Sequence, residues 1–128
     1  MTEKPPASIP STQDFPRRER IAARSDFLAA YEEGRKEFSR YCVVFTRTNA
    51  FGHPRIGITV TKKAGKANVR NRLKRWVREI WRRGRAELKL AETSLDFVVN
   101  VKPAAASANF DEFATDLRRG LRRAAFGR

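Results

Sequence analysis

The sequence is poor in the residues that usually carry metal, redox or hydrolytic chemistry, with one cysteine, one histidine, one methionine and 14 acids among 128 residues. A lone Cys42 cannot close an internal disulfide, and His53 has no nearby Cys or His with which to build a zinc site. Metal-centred and redox functions are disfavoured, and a reducing cytoplasmic setting fits. No cluster of Asp, Glu or His has the spacing of a two-metal hydrolase, so no catalytic residue is assigned. No run approaches the roughly 18 consecutive apolar residues of a spanning helix, so no membrane association is expected. The opening MTEKPPASIPSTQDFP has four prolines and no apolar core, which fits neither a signal peptide nor a helix. Residues 1–16 are expected to form a flexible leader, residues 17–124 a single domain, and residues 125–128 a short tail.

Basic charge is what the sequence has in excess. Lys and Arg number 28, giving a formal net charge of +14 and a pI near 11.2. Such an excess repels itself in a compact state, so a polyanionic partner is its natural complement. Nine Phe, two Trp and two Tyr supply enough apolar material for one core without disulfide or metal staples.

Along the chain, Ser25 is a candidate N-cap for a short helix carrying Phe27, Leu28, Ala30 and Tyr31 and ending at Gly34. The row FSRYCVVFT (38–46) reads as a strand, with Tyr41, Val43 and Phe45 on one face and Arg40, Cys42 and Val44 on the other. After the turn cluster NAFGHP, Ile56, Ile58 and Val60 alternate with Gly57, Thr59 and Thr61, so the two strands read as an antiparallel hairpin. LDFVVNVK (95–102) is a further strand, stopped by Pro103. Asn109 and Glu112 form a capping-box pair before a last helix with the stripe Phe110, Phe113, Leu117 and Leu121. The expected order is α-β-β-(β)-α-β-α: an α+β sandwich of helices on a small, four-stranded mixed sheet.

Between Thr61 and Arg85 the chain reads TKKAGKANVRNRLKRWVREIWRRGR, with eleven Lys and Arg and one acid, Glu79. From about Asn68 the period is helical. Val69, Leu73, Trp76, Val77, Ile80 and Trp81 share one arc, while Lys74, Arg75, Arg78, Arg82 and Arg85 lie opposite. A merely solvated helix mixes signs to gain i,i+4 pairs, whereas Lys74 with Arg78 and Arg78 with Arg82 repel by a few tenths of a kcal/mol each. A membrane-surface helix would need its apolar arc for lipid, at a loss of roughly 1.5 to 3 kcal/mol for each of Leu73, Val77 and Ile80 withdrawn from the core. Phosphate is the better ligand. Seven of the eleven cations are Arg, whose planar fork suits phosphate oxygens. The KKAGKAN loop adds backbone donors at the positive end of a helix dipole. GKANVRNR lacks the remaining residues of a nucleotide P-loop, and no neighbouring helix completes a helix-turn-helix, so a DNA partner is not expected.

RNRLKR followed by WVREIWR, and preceded by TKKAGKA, resembles the helix that marks bacterial ribonuclease P protein components. SDFLAAYEEG, LDFVVNVKP and FDEFATDL occur in the same order as in that family, so the resemblance covers roughly residues 18–124. It implies the fold type of a small-subunit ribosomal protein domain, with a left-handed β-α-β crossover where the general rule gives a right-handed one. In function it implies a subunit of the ribonuclease P ribonucleoprotein, an endoribonuclease whose catalytic RNA removes the 5′ leader from precursor tRNA. The Mg²⁺ would be bound mainly through the RNA, and the protein would hold no cofactor of its own.

By the same resemblance Lys62, Lys63, Lys66, Arg70, Asn71, Arg72, Lys74, Arg75 and Arg78 would contact the catalytic RNA. Phe27, Tyr31 and Phe45 would line a cleft for the leader of the precursor tRNA, a role consistent with aromatic stacking on single strands. Ordinary core packing is the competing reading for those three. Asn68 departs from the family's usual apolar residue and is a candidate N-cap, which would shift the helix start. The alternative function is that of a basic ribosomal or general RNA-binding protein with no role in tRNA processing.

Overall fold

A computed structural model of the chain describes residues 17–127, so the expected leader at 1–16 lies outside the described residues. Three α-helices and four strands follow one another as α1 (Arg24–Glu33), β1 (Arg35–Phe38), β2 (Cys42–Thr48), β3 (Arg55–Val60), α2 (Ala67–Glu87), β4 (Leu95–Val101) and α3 (Phe110–Phe126). Short 3₁₀ turns at Arg17–Glu19, Lys62–Ala64, Leu90–Glu92 and Pro103–Ser107 join or flank them. No described helix is long and apolar enough to cross a membrane.

The sheet order is β1-β2-β4-β3, with β2 antiparallel to β4 and β3 parallel to it. This corrects the hairpin expected between the second and third strands. They run in opposite directions but do not pair, because β4 lies between them. LDFVVNV is apolar on both faces, and Phe97, Val98 and Val99 are all fully buried, so it takes the position where both edges are hydrogen-bonded and both faces are covered. The hairpin that does form joins β1 to β2, pairing Arg35 with Thr46 and Phe38 with Val43.

Two clusters of buried side chains occupy opposite faces of the sheet. On one, Val44, Ile56, Phe97, Val99 and Val101 meet Leu73, Val77, Ile80 and Trp81 of α2 and Phe113, Leu117 and Leu121 of α3. On the other, Phe45 and Val98 meet Ile21 and Ala30, with Phe27, Tyr31 and Val43 partly buried around them. Tyr41 belongs to the first cluster, beside Phe113, not to the face of Val43 and Phe45. The strand begins only at Cys42, so the alternation does not extend back through the Arg40–Tyr41 turn. That turn is fixed by buried Asp116, which accepts from Ser39 Oγ at 2.7 Å and from the backbone N–H groups of Arg40 and Tyr41.

The capping box of α3 is present as expected, Asn109 Oδ1 accepting from Glu112 N at 2.8 Å. Two other expected caps are not. Helix α1 starts at Arg24 with Ala23 as its cap, placing Ser25 inside the first turn. Helix α2 is capped at Lys66, so Asn68 is already helical and exposed. Each helix begins where a preceding segment pins the chain: Ile21 N donates to Ile56 O before α1, and Lys62–Ala64 forms a 3₁₀ turn before α2.

Candidate nucleic-acid interface

The turn before α2 and its first three helical turns concentrate the positive charge. Lys62, Lys63 and Lys66 are exposed around Gly65, whose φ of 143° is poorly accessible to residues with a Cβ. Along the helix Asn71, Arg75 and Arg78 are exposed, while Arg70, Arg72 and Lys74 are half-buried. None of the eight cations from Lys62 to Arg78 is in an ion pair among the described residues. The C-terminal half of the same helix is different: Glu79 accepts from Arg82 at 2.7 Å and from Arg83 at 2.6 Å, and Arg85 is paired with Glu19. The hydrogen bond from Arg82, opposed by burial and helped by both arginine charges, holds the Glu79 carboxyl below its ordinary pKa. The basic face expected along the whole helix is thus uncompensated over its N-terminal half only.

The two arginines of RNR also brace the protein. Arg70 Nε donates to Gly65 O at 3.2 Å, tying the loop back onto the helix. Arg72 Nη2 donates to Ala106 O at 3.2 Å, and its guanidinium lies 5.3 Å from the centroid of the Trp76 ring. Its Nε is buried without a hydrogen-bond partner. Asn71, between them, faces solvent.

Phe27, Tyr31 and Phe45 come together on the opposite face of the sheet, beneath α1. Tyr31 meets Phe45 edge to face with centroids 4.8 Å apart, and Phe27 lies over Gly57, where an added Cβ would fall 2.7 Å from the ring. Phe45 is 8% exposed and built into the core, whereas Phe27 and Tyr31 are half-buried.

Register extends this face beyond α1. Lys36, Phe45, Val98 and Gly57 form one cross-strand row, and Phe38, Val43, Asn100 and Thr59 the next. Lys36 Nζ sits 5.8 Å from the Phe45 ring centroid, and Phe38 is 62% exposed at the sheet edge. Tyr31 Oη and Thr59 Oγ1 both donate to Asn100 Oδ1, the former at 3.0 Å. Sequence reasoning passed over Lys36, Phe38 and Asn100. The available signal was the single amide interrupting the apolar run of LDFVVNV.

At the far end of the face, Asp96, fully buried, receives Arg55 through two nitrogens at 2.9 and 2.7 Å and Asn49 Nδ2 at 2.8 Å. That hydrogen bond, reinforced by the charges of Asp96 and Asp26 against the cost of burial, holds the Arg55 guanidinium above its ordinary pKa.

Sheet, helices and side chains together define a small α+β protein with an unpaired cationic helix end and, across the sheet, an aromatic face. The chain belongs to the ribonuclease P protein family: the family model described as Ribonuclease P matches residues 15–125. The ribonuclease P protein component of Thermotoga maritima is 50% identical over 74 residues, 58% of this chain, and the match spans only 63% of that relative's length. Among solved structures, the RNase P protein from Thermotoga maritima superposes with a TM-score of 0.73 at 37% identity, covering 82% of this chain and 96% of that one. The Staphylococcus aureus RNase P protein gives 0.74 at 30% identity, covering 81% and 93%.

Proposed function

We propose that the chain is the protein subunit of a ribonuclease P ribonucleoprotein, binding the catalytic RNA through the N-terminal end of α2 and the precursor tRNA leader across the aromatic face. The observation that carries this reading is the run of cations from Lys62 to Arg78 with no acidic partner among the described residues. Solvated helices pair such charges internally, whereas a phosphate backbone supplies the missing anions and releases its counterions. The aromatic face fits single-stranded RNA, which needs ring surfaces and nearby cations without a deep pocket.

Among the described residues no group of three or more His, Cys, Asp and Glu side chains is placed to hold a metal ion. The ion the family implies is assigned to the RNA, whose phosphate oxygens are the hard ligands Mg²⁺ takes. Cleavage is likewise assigned to the RNA, and the protein's work is to hold enzyme RNA and leader together, in the cytoplasm where precursor tRNA is made.

Reconstitution with a ribonuclease P RNA tests the assignment. The chain is expected to lower the Mg²⁺ concentration needed for cleavage and to tighten binding of leader-bearing precursor over mature tRNA. Equal affinity for both, as a general RNA binder would give, overturns it, as does cleavage of precursor by the protein alone.

A further inference from the structure

Asn100 is the one polar residue in the half-buried row beyond α1 that has both a fixed acceptor and idle donors. It sits on the central strand, between Val43 of β2 and Thr59 of β3. Both hydrogen bonds made by its side chain enter Oδ1, from Tyr31 Oη and Thr59 Oγ1. Both hydroxyls donate to the one amide oxygen, and its two lone pairs are thereby filled. Among the described residues the two Nδ2 hydrogens have no acceptor, and the atom is not sealed from solvent. They sit on the open face, in the row that ends at exposed Phe38.

We propose that Asn100 reads a nucleobase of the bound single strand, donating from Nδ2 to an acceptor on the base edge while Tyr31 holds the amide in place. This rests on the leader-binding reading above and adds a base-reading residue to it. With Oδ1 occupied, the two-point pairing an Asn amide can offer adenine N6 and N7 is closed. The edge read is therefore an acceptor edge, such as a pyrimidine carbonyl or purine N7. Stacking accepts any base, so this amide would supply the discrimination that the aromatic rings cannot.

The test uses the reconstituted holoenzyme and precursor tRNAs carrying one abasic nucleotide at each leader position in turn. With the wild-type protein, one position is expected to lose about 3- to 10-fold more affinity than its neighbours, the range of a single hydrogen bond. With Asn100→Val, the hydrogen-bond part of that loss should already be present, and the abasic penalty at that position should fall to the stacking loss seen at its neighbours. Asn100→Asp keeps acceptors for Tyr31 and Thr59 but removes both donors, and should show the same missing coupling. Thermal midpoints and affinity for the catalytic RNA check that both variants fold. If the excess penalty at that position is undiminished in both variants, or if no position stands out, base reading by Asn100 is overturned. Tyr31→Leu separates the two levels: loss of leader discrimination there, with no coupling at Asn100, sinks this inference alone, whereas no loss there sinks the leader-face reading itself.

Discussion

Trp81 and Glu19, 62 positions apart, are joined inside the protein: the indole Nε1 donates to Glu19 Oε1 at 3.2 Å, and Arg85 pairs with the same oxygen. Glu19 is 2% exposed and Trp81 1%. The pair fastens the turn Arg17–Glu19 to α2 and satisfies an indole that would otherwise be buried unpaired. Glu19→Ala removes the acceptor of a buried indole and of the half-buried Arg85, and is expected to destabilise by about 1 to 3 kcal/mol, the cost of leaving a buried donor unsatisfied. Glu19→Gln, which still accepts from the indole, should cost less. Urea unfolding of the two variants checks the order: equal losses would show that the hydrogen bond to the indole carries no weight, and no loss in Glu19→Gln that the ion pair carries none.

Arg72 and Arg75 separate bracing from RNA contact. Arg72→Ala strips a hydrogen bond from Ala106 O and a guanidinium from the Trp76 ring, so a stability loss of about 1 to 2 kcal/mol is expected. Arg75 is exposed and unpaired among the described residues, and Arg75→Ala should leave stability within about 0.5 kcal/mol. Its effect should appear in binding, where the slope of log affinity against log salt falls by about 0.7 to 0.9 for one phosphate contact. An unchanged slope removes Arg75 from the interface.

Gly57→Ala should disturb the aromatic face from beneath. The new Cβ would lie 2.7 Å from Phe27 Cε1 and Cζ and 3.1 Å from Ile21 Cβ. Overpacking of this kind costs about 1 to 3 kcal/mol. Phe27 must move off the strand, so leader discrimination should fall while affinity for the catalytic RNA holds. Loss of both together would mean that the two surfaces are not separate.

The Glu79 carboxyl, held low first by its Arg82 hydrogen bond, gives a pH dependence of known sign. Its folded pKa lies below the ordinary value of 4.5, so its stabilisation is fully present above that value and lost as the pH falls through the lowered folded pKa. The side chain is 34% exposed, so screening limits the effect to below about 1 kcal/mol. The stability gap between wild type and Glu79→Gln should therefore be small and flat near neutrality and close in acid. A gap that widens in acid would contradict the pairing.

Cys42 is expected to resist alkylation in the native protein. It is fully buried, and burial, with Asp116 adding and Lys102 opposing, pushes its thiol far above the ordinary value. Labelling should proceed only at the rate of unfolding, measured by mass shift across a urea series. Fast labelling without denaturant would contradict that burial.

The readable parts of this chain were those set by neighbouring residues. Asn109 and Glu112 are three apart and formed their capping box. The α2 arc of Leu73, Val77, Ile80 and Trp81 is buried as its period required. What misled was pairing at a distance. β3 follows β2 after a turn, yet its partner is β4, some 40 residues on, and local alternation carries no information about which edge a strand will choose. Strand β1, Arg35–Phe38, has three charged residues in four and gave no apolar signal. At the site, the cationic loop and helix were legible as composition. The division of α2 into an unpaired half and a paired half was not, because it depends in part on Glu19, far along the chain. Asn100 was hidden for the same reason: its meaning lies in Tyr31 and Thr59, 69 and 41 positions away.

The placement of β4 has a consequence for the order of events during synthesis. It is the last of the four strands in sequence, yet it lies between β2 and β3. When the ribosome has made β1, β2 and β3, only the β1–β2 hairpin has its partner; β3 waits beside nothing until α2 and β4 have emerged. Completion of the sheet is thus a late, non-local step, of the kind that slows folding and leaves strand edges open meanwhile. The face that holds Tyr31 and Asn100 and the floor on which α2 rests are created by that one insertion. A nascent chain short of β4 would carry its positive charge without a scaffold to aim it.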